Sequence, residues 1–161
     1  MKYLLSLGSN IGDKAAMIGR AIERLREEGV HVIATSSLYR TAPFDAPPQD
    51  DFVNAALLVE GPNDPERMLE IALRIETMLG RERRIKNGPR TIDIDIIFAE
   101  RAPYHSPRLE VPHPRWRQRR FVIEPAQEIA FRVEHFAREL SSVSLADLAN
   151  QQVVKIEEPL P

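Results

Sequence analysis

The chain has 161 residues, a formal net charge of −2, 43% hydrophobic and 29% charged residues, and no cysteine. That length suits a single domain, read here as 1–161, with enough core to stand alone. Near-neutral charge excludes bulk electrostatic binding to nucleic acid, and the absence of cysteine excludes disulfides, thiolate metal sites and a thiol nucleophile.

Met1–Leu7 is too short an apolar run for a signal peptide or a membrane span, so the expected compartment is the cytoplasm, with no membrane partner. Tyr3 to Leu7 reads as a buried strand and Gly8 to Asp13 as a turn. A helix follows, with Asp13 as N-cap, Ile18, Ile22 and Leu25 on one face and Gly29 closing it. Val30 to Tyr39 reads as the second strand, the three-proline stretch Ala42 to Asp51 as a loop, and Phe52 to Glu60 as the third strand. Asp64-Pro65 opens a second helix, whose apolar face is Met68, Ile71, Ala72, Ile75 and Leu79 and which Gly80 ends. Thr91 to Phe98 is the fourth strand. The order βαββαβ predicts an α+β, ferredoxin-like sandwich of two helices on a mostly antiparallel sheet. Beyond Glu100 the five prolines from Pro103 to Pro125 predict loops and short helices, then a short helix near Ser144–Leu148, an edge strand at Val153–Ile156 and a frayed tail from Glu158.

The chemistry concentrates around the fourth strand. Ile92, Ile94 and Ile96 alternate with Thr91, Asp93 and Asp95, so the isoleucines face the core and both aspartates share the other face, their Cα atoms roughly 6.5–7 Å apart. Like charges so placed either point into water or hold something positive between them; Mg²⁺ takes one or two carboxylates and completes its shell with water and phosphate oxygens. Arg81, Arg83, Arg84, Lys86 and Arg90 precede this strand on a segment that Asn87-Gly88-Pro89 marks as a loop, and guanidinium forks suit phosphate.

Other candidates are individually ambiguous. Gly8-Ser9-Asn10 is either a plain turn or a set of backbone N–H groups for an anion or a ring carbonyl. Glu76, in the last turn of the second helix, is either an exposed acid or a carboxylate that steers the arginine loop. Phe52 and Asn54 share a strand face, and an aromatic ring beside an amide suits a flat heterocycle, with core packing as the alternative for Phe52. Pro112-His113-Pro114 holds a histidine in a stiff turn ahead of Arg115, Arg117, Arg119 and Arg120, so His113 is either structural or a phosphate contact. Phe121 is either core or a second stacking ring.

Together these stretches resemble the 6-hydroxymethyl-7,8-dihydropterin pyrophosphokinase family of folate biosynthesis, from Tyr3 to about Ile129. The resemblance is carried by Leu7–Asn10, Ser37–Thr41, Phe52–Ala56, Glu76 with Leu79–Arg81, Gly88–Asp95 and Val111–Pro114. It implies transfer of the β,γ-diphosphate of ATP to the pterin hydroxymethyl group, with release of AMP. By that resemblance Asp93 and Asp95 hold two Mg²⁺ ions, and Arg81 and Arg90 bind phosphates during transfer. His113, Arg119 and Glu76 lie at the nucleotide. Phe52 and Phe121 sandwich the pterin, Asn54 with backbone near Thr41 and Phe44 reads its pyrimidine edge, and Gly8 joins the substrate set. Loops 8–13, 42–51 and 81–90 close as lids. The chain departs from the pattern at Asn87, where some members carry an aromatic, and at Phe52, where some carry tyrosine. A nucleic-acid module is the rival of another class; the paired aspartates oppose it, because they repel a phosphate backbone.

Overall fold

The computed structural model describes residues 1–43, 46–80 and 91–157. In chain order these form β1 (Lys2–Ser9), α1 (Lys14–Glu27), β2 (His31–Thr35), β3 (Tyr39–Thr41), β4 (Phe52–Glu60), α2 (Pro65–Met78), β5 (Asp93–Ala99), β6 (Tyr104–His105), β7 (Glu110–Val111), α3 (Arg120–Ile129), α4 (Glu134–Ser141) and β8 (Val153–Lys155), with 3₁₀ turns at Trp116–Gln118, Ala130–Arg132 and Leu145–Leu148. The main sheet runs β5-β1-β4-β3-β8, with β2 on the same edge of β4 as β3, and every described pairing is antiparallel. β6 and β7 form a separate small hairpin.

Alternation along the central strands builds two cores. Tyr3, Leu5, Leu7, Leu57, Val59 and Ile94 face α1 and α2, and are buried against Ile18, Ile22, Leu25, Met68, Ile71 and Ile75. Leu4, Leu58, Ile97 and Phe98 face the other way, against Trp116, Val122, Ile123 and Phe136. Both long helices are capped as the sequence predicts: the Asp13 side chain accepts from Ala16 N–H at 3.1 Å and that of Asp64 from Glu66 N–H at 3.0 Å.

Three expectations need correction. The first strand runs through Gly8 to Ser9, so Gly8 is a strand residue and the turn begins at Asn10. The single strand expected over Val30–Tyr39 is two. Ser36 breaks it by donating its N–H to Ala56 O at 2.9 Å while its hydroxyl accepts from Ala56 N–H at 2.8 Å, a local alternative to the ladder. After Glu100, α3 and α4 form a second layer on the sheet, not only loops and short pieces; α3 continues through Pro125, which lies on its buried side. Ser144–Leu148 does carry a short 3₁₀ helix, and Val153–Lys155 is an edge strand beside β3. The tail from Glu158 lies outside the described residues.

Candidate functional site at one end of the sheet

Register places six of the candidates on one face. Asp93 pairs with Gly8, Gly8 with Asn54 and Asn54 with Tyr39, a straight row across β5, β1, β4 and β3. Asp95 opposite Ser6 forms the next row, and Phe52 opposite Thr41 lies one step the other way. At a strand spacing of about 4.8 Å, Asp93 and Asn54 stand roughly 10 Å apart, with only a glycine between them. This is the face on which α3 and α4 pack, and the row lies at the end of β1 away from Leu4.

Gly8 is required by packing rather than by a turn. A Cβ there meets Asn54 Oδ1 at 2.5 Å and Phe52 Cδ1 at 3.7 Å. Asn54 is buried, and its Nδ2 donates to Thr41 Oγ1 at 2.6 Å, which fixes the amide orientation. Thr41 thus holds Asn54 by its side chain, a relation that the sequence alone did not suggest. Phe52 is half-buried at the start of β4 and Phe121 half-buried in the first turn of α3.

The nitrogen-rich wall comes from the turn before α3. Arg119 reaches Asp95, with Nη1 to Oδ2 at 3.8 Å, and its guanidinium carbon lies 5.6 Å from the Phe121 ring centre. His113 is pinned by its N–H to Ile97 O at 2.9 Å. Its Nδ1 accepts from Arg115 N–H at 3.1 Å, so the neutral ring carries its proton on Nε2. Burial, then the Arg119 and Arg115 guanidinium groups, push its pKa down to about 4, against the opposing pull of Asp93. Asp93 is close enough to His113 to be felt, which joins the histidine to the aspartate row.

Glu76 is not an exposed helix acid: it is 2% exposed, and its carboxylate accepts from Ile94 N–H at 2.8 Å. Ile94 lies between the two aspartates on an edge strand, so Glu76 occupies a donor that faces away from β1. Gln49 and Asp51 are tied to the turn after β1 and the start of α1, Asn10 Nδ2 donating to Gln49 Oε1 at 2.6 Å and Lys14 Nζ to Asp51 O at 2.7 Å. Arg81, Arg90 and Phe44 lie outside the described residues. Among the described residues no group of three or more histidine, cysteine, aspartate or glutamate side chains gathers as a ready metal cage, and no helix is long and apolar enough to cross a membrane.

Fold and site therefore define an α+β protein with a carboxylate pair, an oriented amide, two aromatic rings, an arginine and a neutral histidine at one end of an antiparallel sheet. The model of the family 7,8-dihydro-6-hydroxymethylpterin-pyrophosphokinase (HPPK) matches residues 4–131, and the chain belongs to that family. A relative from Methylorubrum extorquens, 2-amino-4-hydroxy-6-hydroxymethyldihydropteridine pyrophosphokinase, is 47% identical over 127 residues, 78% of this chain and 80% of the relative. The Bacillus subtilis protein of the same name is 39% identical over 131 residues, 81% and 78% of the two chains. Among solved structures, Plasmodium falciparum HPPK-DHPS wild type with SDX-DHP superposes with a TM-score of 0.59 at 15% identity. That match covers 92% of this chain but 45% of the other, and it bears on the fold alone.

Proposed function

We propose that this chain transfers a diphosphate group from ATP to 6-hydroxymethyl-7,8-dihydropterin. The pterin hydroxyl oxygen attacks the β-phosphorus, the bond from that phosphorus to the α-phosphate oxygen breaks, AMP leaves, and the hydroxyl proton is released to a phosphate oxygen or solvent. The observation that carries this reading is the single row Asp93–Gly8–Asn54, which sets a carboxylate for the phosphate end and an amide for the ring end about two strand spacings apart. Family membership and the names of the relatives support the same reaction.

Asn54, oriented by Thr41, reads the donor and acceptor edge of the ring, together with backbone near Phe44. Phe52 and Phe121 flank the ring. Arg119 and neutral His113, whose Nε2–H can donate to a phosphate oxygen, face the nucleotide, and we assign Arg81 and Arg90 to its phosphates. Asp93 and Asp95 are hard oxygen donors on one strand face, and such a pair fits Mg²⁺, of which we assign two. When bound, the metal neutralises phosphate charge. We assign Glu76 to support of that strand, through Ile94 N–H, from beneath the nucleotide site. We read the sandwich as ferredoxin-like and the chain as one domain, a reading that the antiparallel order β5-β1-β4-(β2, β3) supports. ATP as donor suits a cytoplasmic location.

Incubation with ATP, Mg²⁺ and the reduced hydroxymethylpterin tests the proposal. Pterin-dependent AMP is the expected product. ADP in its place, or pterin binding without turnover, overturns it.

A further inference from the structure

We propose that Gln151 is a clasp that sets the separation between the Phe121 and Thr41 walls of the pterin site. It lies outside the stretch that matches the family, 4–131, yet it is 6% exposed. Its Oε1 accepts from Arg120 N–H at 2.9 Å, and its Nε2 donates to Gln118 O at 2.7 Å. The amide therefore straddles Arg119 and grips the backbone on both sides of it. Arg120 returns a second contact, Nη1 to Gln151 O at 2.8 Å, while its Nε pairs with Glu124 at 3.2 Å.

The start of α3 has no local cap. Arg119, at the N-cap position, makes no side-chain capping bond, so the first free N–H of the helix is satisfied from 31 residues away. The other end of the clasp is equally well anchored. Gln152 O accepts from Ala42 N–H at 3.2 Å, and Val153 pairs with Thr41 in the β3–β8 ladder. Residues 151–153 thus bridge the two backbone segments that carry Phe121 and Thr41. Satisfying Gln118 and Arg120 together takes a side chain that both donates and accepts, and the Gln151 amide does so from two separate atoms.

This inference rests on the assignment of Phe121 to the pterin ring. Arg119, with its long side chain, can absorb a small shift of the backbone, whereas the Phe121 ring has two side-chain torsions and moves with the helix. Loss of the clasp therefore weakens the pterin more than the nucleotide.

The test is a double-mutant cycle between Gln151→Leu and Phe121→Ala. Pterin affinity is measured by calorimetry with a saturating α,β-methylene analogue of ATP, which cannot undergo transfer, and analogue affinity is measured separately. We expect Gln151→Leu to weaken pterin binding about tenfold and analogue binding less than about twofold, and its effect on pterin to shrink below about twofold when Phe121 is already alanine. Gln151→Glu keeps the acceptor for Arg120 and loses the donor to Gln118, so it falls between wild type and leucine; it replaces leucine in the cycle if that variant does not fold. An undiminished effect in the Phe121→Ala background, equal weakening of both ligands, or no weakening overturns the clasp while the assignment of Phe121 stands. A Phe121→Ala variant with wild-type pterin affinity overturns that assignment, and the clasp with it.

Discussion

Gly8→Ala is the sharpest probe of the site because its effect follows from one contact. The new Cβ has to displace Asn54 Oδ1, which stands 2.5 Å from its position. Asn54 cannot swing aside freely, since it is buried and bonded to Thr41 Oγ1 at 2.6 Å. Breaking that bond, or leaving one of its ends unsatisfied, costs about 1–3 kcal/mol. For a chain of this size each kcal/mol lowers Tm by about 2–4 °C, so a fall of roughly 2–12 °C is expected. If the displaced amide also loses its bond to the ring, pterin affinity falls about 5- to 150-fold, while nucleotide affinity changes little. Gly29→Ala is the matched control. It lies just beyond α1 at φ +84° with nothing within 4 Å of its Cβ, so it costs about 1–2 kcal/mol through backbone conformation alone. Thermal melts and calorimetric titration of both variants decide the matter. If Gly8→Ala binds the pterin as Gly29→Ala does, Asn54 is a packing residue and the recognition argument fails.

If the proposed metal role holds, Asp93→Asn and Asp95→Asn should each reduce turnover by at least about 100-fold with Tm shifted by only a few degrees, because neither partly exposed carboxylate belongs to a core. Undiminished turnover in a coupled AMP assay removes them from the reaction. Glu76→Ala leaves Ile94 N–H without its acceptor and should destabilise by about 1–3 kcal/mol in urea, and Glu76→Gln by less because an oxygen remains; equal losses would mean that the hydrogen bond is not what Glu76 contributes. His113 has a folded pKa near 4, whereas an unfolded histidine titrates near about 6.5. Between those values the unfolded chain holds the extra proton, so folding stability falls as pH drops from about 6.5 toward 4. His113→Gln should flatten that part of a urea-midpoint profile, and an unchanged slope would mean that other groups cause it.

Local rules determined much of this protein. Alternation around Ile92–Ile96 put both aspartates on one strand face, and Asp13 and Asp64 announced helix starts that the capping bonds bear out, because periodicity and caps depend on neighbours a few residues away. The resemblance already grouped the site residues without saying how they meet. Tertiary structure decided the rest. Whether Gly8 belongs to a turn or a strand depends on Asn54, 46 positions along the chain, whose side chain fills the space a Cβ would take. Whether Glu76 is exposed depends on an edge N–H of β5. Pro125 reads locally as a helix breaker, yet α3 forms across it, because burial of Val122, Ile123, Ala126 and Ile129 outweighs one missing hydrogen bond. The part played by Gln151 is invisible in sequence for the same reason: an amide shows nothing of its partners until the chain returns to bring Gln118 and Arg120 within reach.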